Sequence, residues 1–383
     1  MSRKQILWLC SWYPCKTDPF NGDFIQRHAR AASLYNDIYV LYVAGDDTGS
    51  TNHKEETITR TNGLTEQLIS FKKKKGVIGK MIARYRWAKL FRRAIRGYIA
   101  SHGRPHAVHV QVPMKAGIPA LWIKRKYNIP FVVTEHWGIY NDIAPGSYLT
   151  KNAAFRYCTR KIIAEAAAFI PVSHYLAKGI NEMVVEKTYT VIPNVADTSL
   201  FFYRPKQDGP FRFIHVSNMV PLKNTEGILR AFKQFAEKNQ DVELVLVGNR
   251  DDAMKHYASS LGMQEPQVTF KGEVAYEEVA AAMQQSDCLL LFSNIENSPC
   301  VIGEALCCGL PLVVTNTGGI PELVDESNAL LIPPQDEAAL LTAMQQMSGR
   351  QTIYHRKAIA DRASEKFSYE VVGRQLDAVY GQL

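Results

Sequence analysis

A chain of 383 residues, 46% hydrophobic and 21% charged, can supply two or three domains that each bury a core, and this composition excludes wholesale disorder, collagen-like repeats and fibrous architectures. No run approaches the ~18–20 apolar residues of a membrane-spanning helix; the best, Ile162 to Val172, contains Glu165. The net charge of +8 divides unevenly, with 29 Lys+Arg against 13 Asp+Glu in residues 1–195 and 16 against 24 in the remainder. Between Glu66 and Glu135 there is no acidic residue. A one-sided field of this kind favours an anionic partner. Because no nucleic-acid recognition motif is present, nucleic acid is not expected.

The N-terminus enters a strand-like run at Ile6–Leu9 with no apolar leader, so a cytoplasmic location is expected. Further β-branched or aromatic runs follow at 38–43, 107–111, 131–134, 169–172 and 190–193. Helical patterns at 24–35, 78–101, 119–127 and 152–168 separate them, an alternation that predicts a parallel sheet with crossover helices. Residues 193–210, rich in turn formers and framed by prolines, read as an interdomain linker. A second alternation then runs through strands at 211–217, 242–248, 268–270, 288–293 and 312–315. The predicted fold class is therefore α/β, with two doubly wound domains facing a cleft at the carboxyl ends of both sheets. Seven cysteines, an odd number with no C-x-x-C pair, make disulfides and structural zinc unexpected.

The segment from Glu296 to Glu304 carries the strongest chemical signal. Seven residues separate the two carboxylates. If Glu296 lies in the loop after a strand and Ser298 and Pro299 open a helix ending at Gly309, Glu304 points from that helix to the same cleft. Free amides at the helix start, around Ser298 and Cys300, then stand ready for a diphosphate, beside carboxylates for sugar or ribose hydroxyls. The plainer alternative is one capping glutamate and one solvated helix residue. In the first half, Gly22 lies before a helix where backbone can approach a diphosphate, or simply makes a turn. His136 follows a strand, where a lone histidine is more often structural.

These residues gain meaning together, because the segment resembles the E-x7-E signature of glycosyltransferase family 4, the retaining GT-B enzymes that use nucleotide-sugar donors. Ile192–Phe201 is similar to the family's P-N-G-V-D junction, Gly318–Val324 to its G-G-x-P-E loop, and Phe270-Lys-Gly272 to its F-x-G strand end. The resemblance implies that Glu296 lies against the donor sugar and Glu304 holds the ribose. His136 would line the sugar pocket, and Lys223 would neutralise the diphosphate. Gly22, Ser217, Asn218, Arg250, Ser298, Cys300 and Val301 are implied as further donor-binding positions. Where the family pattern places an Arg, this chain has Asn218, and Arg grips phosphate with two donors where an amide offers a weaker neutral contact. The implied domains are 1–194 for the acceptor, 195–366 for the donor, and a helix at 367–383 crossing back to the first.

The implied activity is transfer of a sugar, with retention and without a metal or other cofactor, to a cell-envelope glycan or lipid-linked acceptor. A nucleotide-sugar epimerase and a non-catalytic nucleotide-sugar-binding or scaffold protein are the alternatives. Residues 72–96 add a basic stretch. An apolar stripe through Met81, Tyr85, Ala88, Phe91, Ile95 and Tyr98 is flanked by Arg86, Lys89, Arg93 and Arg96. This pattern predicts docking on an anionic membrane, peripheral to its inner face; a packed helix with a solvated basic face is the alternative.

Overall fold

The computed structural model describes residues 3–141, 146–249, 251–349 and 354–383. It forms two compact units, Met1–Val195 with Tyr369–Leu383, and Ala196–Ser368. In unit 1 the elements run β1 (Gln5–Cys10), α1 (Asp23–Ser33), β2 (Asp37–Asp46), β3 (Lys54–Thr61), β4 (Leu64–Lys72) and α2 (Gly76–His102). They continue with β5 (Ala107–Gln111), α3 (Pro113–Tyr127), β6 (Phe131–Glu135), α4 (Ala153–Glu165), β7 (Ala168–Pro171) and α5 (His174–Met183). The sheet order is β3-β4-β2-β1-β5-β6-β7, with every pairing parallel except β3–β4. Strands β5 and β6 are buried at every position, covered on both faces, although each carries two polar residues toward its carboxyl end, His109 and Gln111 in β5 and Thr134 and Glu135 in β6.

Three sequence expectations are corrected here. The β3–β4 hairpin fills the segment between the second strand and α2, but its outer strand, KEETITRT, is polar except for Ile58 and has no buried residue, so it carries no burial signal. The strand expected at 190–193 does not join the sheet. Thr190 and Ile192 each donate one backbone bond to β7, at 3.0 and 3.3 Å, and Pro193 has no N–H with which to extend the ladder. The apolar stripe of α2 is split, because Phe91, Ile95 and Tyr98 are core residues against the sheet while Met81 and Tyr85 are 65% and 68% exposed.

Unit 2 contains β8 (Phe211–Val216), α6 (Thr225–Ala236), β9 (Val242–Val247), α7 (Asp251–Ser260), β10 (Val268–Phe270), α8 (Tyr276–Gln284) and β11 (Cys288–Leu291). After these come α9 (Cys300–Cys307), β12 (Leu312–Thr315), β13 (Ala329–Ile332), α10 (Glu337–Gly349) and α11 (Arg356–Phe367). Its sheet is wholly parallel in the order β10-β9-β8-β11-β12-β13. The stretch read as a linker is packed here: Phe201 is fully buried, Ala196 N–H donates to the Phe367 carbonyl at 2.9 Å, and the Gln284 amide donates to the carbonyls of Leu200 and Phe202.

The last helix, α12 (Tyr369–Tyr380), belongs to unit 1 and lies on α1. Close approach depends on Gly373, where a Cβ would come within 2.2 Å of the Ala31 carbonyl oxygen. Lys4 pairs with Asp377 at 2.7 Å, and the Tyr380 hydroxyl meets His109 Nδ1 at 2.6 Å.

Candidate active site

Each sheet reverses its winding once, between β1 and β5 in unit 1 and between β8 and β11 in unit 2. In open α/β sheets the carboxyl ends beside such a reversal form the ligand crevice. In unit 2 that edge holds Lys223, in a 3-10 turn after β8, and Glu296, in the loop after β11.

The two side chains meet. Lys223 Nζ donates to Glu296 Oε1 at 2.5 Å, with side chains only 22% and 11% exposed, and Ser293 Oγ donates to the same oxygen at 2.8 Å. The Asn294 N–H donates to the Leu222 carbonyl at 2.8 Å, tying the two loops together. The glycine loop then fixes Glu296 from behind. Gly319 N–H donates to the Glu296 carbonyl at 2.9 Å, and Gly318 (φ +56°) is so close that a Cβ would stand 1.8 Å from that oxygen. Only glycine satisfies both the left-handed backbone and the contact.

Beneath this pair lies a buried tether. His215 donates from Nδ1 to the Leu290 carbonyl at 2.9 Å, joining β8 to β11, and its Nε2 accepts from Ser217 Oγ at 2.7 Å. Burial pulls the imidazole down to about 4, so near neutrality it is uncharged and this tautomer is self-consistent. Ser217 Oγ also accepts the Met219 N–H at 2.9 Å. Its hydroxyl is therefore engaged in shaping the turn that presents the exposed Asn218. Short helix α9 begins at Cys300, with Val301 half-buried behind it, and its N-cap residue Pro299 provides no side-chain cap. Ser298 and Glu304 are 7% and 4% exposed, so Glu304 is a buried carboxylate on α9 rather than a solvated helix residue. Arg250 lies outside the described residues.

In unit 1, Gly22 caps α1 with φ +73° and packs on Trp12, whose carbonyl carbon a Cβ would meet at 2.9 Å. His136 is 9% exposed in an aromatic group with Phe24, His28 and, through Trp12, Trp137. Its Nε2 lies 3.2 Å from Gln111 Oε1, whose amide nitrogen reaches His109 Nε2 at 3.2 Å. His28 Nε2 lies 3.2 Å from Asn194 Oδ1. Burial holds the three histidines far toward the neutral form, His28 at about 4. Glu135 positions the turn, accepting the N–H groups of His136 and Trp137 on one oxygen and the Tyr140 hydroxyl on the other, all at 2.8 Å. Burial raises Glu135 to about 7.

Sequence reading named Lys223, Glu296, Glu304, Gly22 and His136 but missed Ser293, His215, Glu135, Gln111 and Asn194 as their supports. The Thr134-Glu135-His136 tripeptide and the Ser293-Asn294 dipeptide held the signal. What they lacked was any indication that strand neighbours β5 and β11 would bring Gln111 and the Leu290 carbonyl alongside.

Two family models cover most of the chain, "Glycosyltransferase Family 4" over residues 39–200 and "Glycosyl transferases group 1" over 197–366. The chain belongs to glycosyltransferase family 4. Across nearly its whole length, 98% of this glycosyltransferase and 95% of the relative, it is 23% identical to a protein of Bacillus subtilis strain 168 described as the putative teichuronic acid biosynthesis glycosyltransferase TuaC. It is 26% identical to the N-acetyl-alpha-D-glucosaminyl L-malate synthase of Bacillus anthracis, over 57% of this chain and 60% of that relative's length. In fold it is similar to the sucrose-phosphate synthase of Thermosynechococcus elongatus (TM-score 0.77, 18% identity, 99% of each chain). It also resembles Anabaena HepE in complex with UDP (TM-score 0.73, 17% identity, 99% of this chain and 100% of that one). The glycosyltransferase thus has the two Rossmann-like units of the GT-B class. Among the described residues, no helix is long and apolar enough to cross a membrane, and no group of three or more His, Cys, Asp or Glu is placed to hold a metal ion.

Proposed function

We propose that this glycosyltransferase moves a hexosyl group from a nucleotide-diphosphate sugar to a cell-envelope glycan or lipid-linked acceptor, with retention and without a metal. The observation that carries this reading is the Lys223–Glu296 contact at the winding reversal of unit 2, beside the amino end of α9. In the transfer, the bond from the anomeric carbon to the distal phosphate breaks and its electron pair leaves with the nucleotide diphosphate. The acceptor oxygen forms the new bond, and its proton passes to the departing phosphate, the strongest base the step creates. Lys223 and the Cys300 and Val301 amides offset the charge that develops on the leaving group. Glu296 contacts the sugar and Glu304 the ribose, while His136 is held neutral within unit 1. HepE, a relative in fold, binds UDP-glucose in its structure, which makes that donor the first to test. UDP-, GDP- and ADP-sugars are screened for thermal stabilisation and then for transfer and hydrolysis. A donor at 100 times its dissociation constant adds ~2.7 kcal/mol to the folded state, and stabilisation by none of them refutes the donor reading.

Docking on the anionic inner face of the membrane belongs to the same proposal, with its surface relocated. Val77, Ile78, Met81, Ile82 and Tyr85 form one exposed face at the start of α2, 41–77% accessible, beside the exposed Lys72, Lys74, Lys75 and Lys80. Apolar residues ringed by cations match an interface with acidic headgroups, at ~1 kcal/mol per basic residue. Arg86 is not part of this surface, because it donates to the carbonyls of Lys72 and His53 at 3.1 and 3.2 Å. The expected result is cosedimentation with anionic but not neutral vesicles, weakened by salt as charges beyond ~10 Å are screened at 0.1 M. It should be lost when Val77, Ile78 and Met81 become Ser and Lys72, Lys74, Lys75 and Lys80 become Gln. Equal binding to neutral vesicles would leave only a solvated helix face.

A further inference from the structure

On its α8 side the sheet of unit 2 is covered unevenly. Val245 of β9 is 6% exposed and packs in one cluster with Val279 and Met283 of α8, whereas β10 stands at the edge of the sheet. Thr269, paired with Val245 across the ladder, is only half-buried, and Lys271, two residues on along the same face, is exposed. Helical spacing puts Glu278, Ala281, Ala282 and Gln285 on one side of α8 and its carboxyl end, and with the three strands they enclose a groove of about 400 Å³. That volume lies within the ~300–1,000 Å³ of small-molecule sites. None of the donor-site side chains lines it.

The amino end of the groove is fixed by hydrogen bonds. Arg212 of β8 stands opposite Glu243 of β9 and donates to its Oε2 from Nε at 2.8 Å and Nη2 at 2.7 Å, while its Nη1 donates to the Gln285 carbonyl at 3.1 Å. The middle is small and apolar, formed by Val245, Ala281 and Ala282. Polar side chains return at the far end, where Lys271 and Glu278 are both exposed. From the level of Glu243 to that of Val247, beside Lys271, the strands advance ~13 Å at the rise of a parallel strand.

These walls select a ligand class. Arg212 and Lys271 balance Glu243 and Glu278, so the groove carries no net charge to draw in an anion or a cation. A wholly apolar occupant would bury its polar ends without partners. An elongated neutral molecule with hydroxyls at its edges and C–H faces between them fits both features. Its hydroxyls can donate to the carboxylates and accept from the guanidinium, ammonium and amide, and its C–H face can lie on Val245, Ala281 and Ala282.

We propose that this groove is a second glycan site, holding a short neutral segment of the acceptor chain against unit 2. It rests on the glycan form of the proposed acceptor, but on residues distinct from the donor site. A contact of this kind raises the effective concentration of a long chain at the enzyme without altering the transfer step.

The full chain is titrated with maltotriose, triacetylchitotriose and mannotriose, and with trigalacturonate as the acidic counterpart, by calorimetry and saturation-transfer NMR. Wild type is expected to bind at least one neutral trisaccharide, and trigalacturonate no more tightly. Ala281→Phe, at an exposed position of α8, fills the groove, and Glu278→Ala removes a charge-assisted hydrogen bond; each should weaken that binding about tenfold or more. Both variants should keep the wild-type melting temperature and its stabilisation by nucleotide sugars. Binding of no neutral trisaccharide, or binding unchanged in both variants, overturns the site. Tighter binding of trigalacturonate overturns the neutral-glycan assignment. If the trisaccharides behave as expected while no nucleotide sugar stabilises the chain, the donor reading fails and this site stands.

Discussion

Replacing Glu296 by Ala is expected to lower turnover by about a hundredfold or more while nucleotide affinity persists. Replacing Glu304 by Ala should chiefly weaken donor binding. The difference follows from what each carboxylate would touch. A contact to the reacting sugar strengthens as charge develops in the transition state and so appears in kcat, whereas a ribose contact is equal in ground and transition states and appears in KM. Glu296 is suited to the first role because two donors, Lys223 and Ser293, and the glycine loop hold it in one place. Glu304, buried on α9, suits a fixed hydroxyl-binding role. Glu296→Gln adds a control, since an amide keeps an acceptor for Ser293 but loses the charge that holds Lys223. Steady-state kinetics with nucleotide titration on the same preparations separates the two, and wild-type turnover in either alanine variant would remove that residue from its assigned role.

Lys223→Ala should nearly abolish transfer, because it removes the one described side-chain cation in direct contact with Glu296 at the proposed leaving-group site. Loss of a preorganised donor to developing charge costs roughly two to three orders of magnitude in rate. The variant also leaves a carboxylate 11% exposed without its cation, so folding stability should fall as well, by less than the ~3–5 kcal/mol of a fully buried broken pair. Measuring Lys223→Ala, Glu296→Ala and the double variant in one cycle separates pair energy from catalytic loss. Asn218→Arg tests the other half of the proposed diphosphate grip. The side chain is exposed, so arginine fits without repacking, and a bidentate contact should tighten nucleotide diphosphate about tenfold or more. Unchanged transfer by Lys223→Ala would place leaving-group stabilisation elsewhere.

Much of this protein was legible in its sequence wherever a residue's role is set by its own neighbours in the chain. Buried parallel strands appear as short apolar runs because both faces are covered. The E-x7-E spacing is local too, since one loop and one helix turn carry both glutamates. The polar β3 strand was not legible, because an exposed edge strand is held by backbone bonds to β4 that leave no mark on side-chain composition. Helix α2 showed a single apolar stripe along its length, yet only the tertiary structure decided that Phe91, Ile95 and Tyr98 meet the sheet while Val77, Ile78 and Met81 do not. The supports of the site were hidden for the same reason. His215 reaches Leu290, 75 residues on, Glu296 meets Lys223 across 73, and Ser11 stitches Val112 across 101. Such pairings follow from the order of strands in a sheet, which arises when crossovers fold back and is written in no single stretch of the chain.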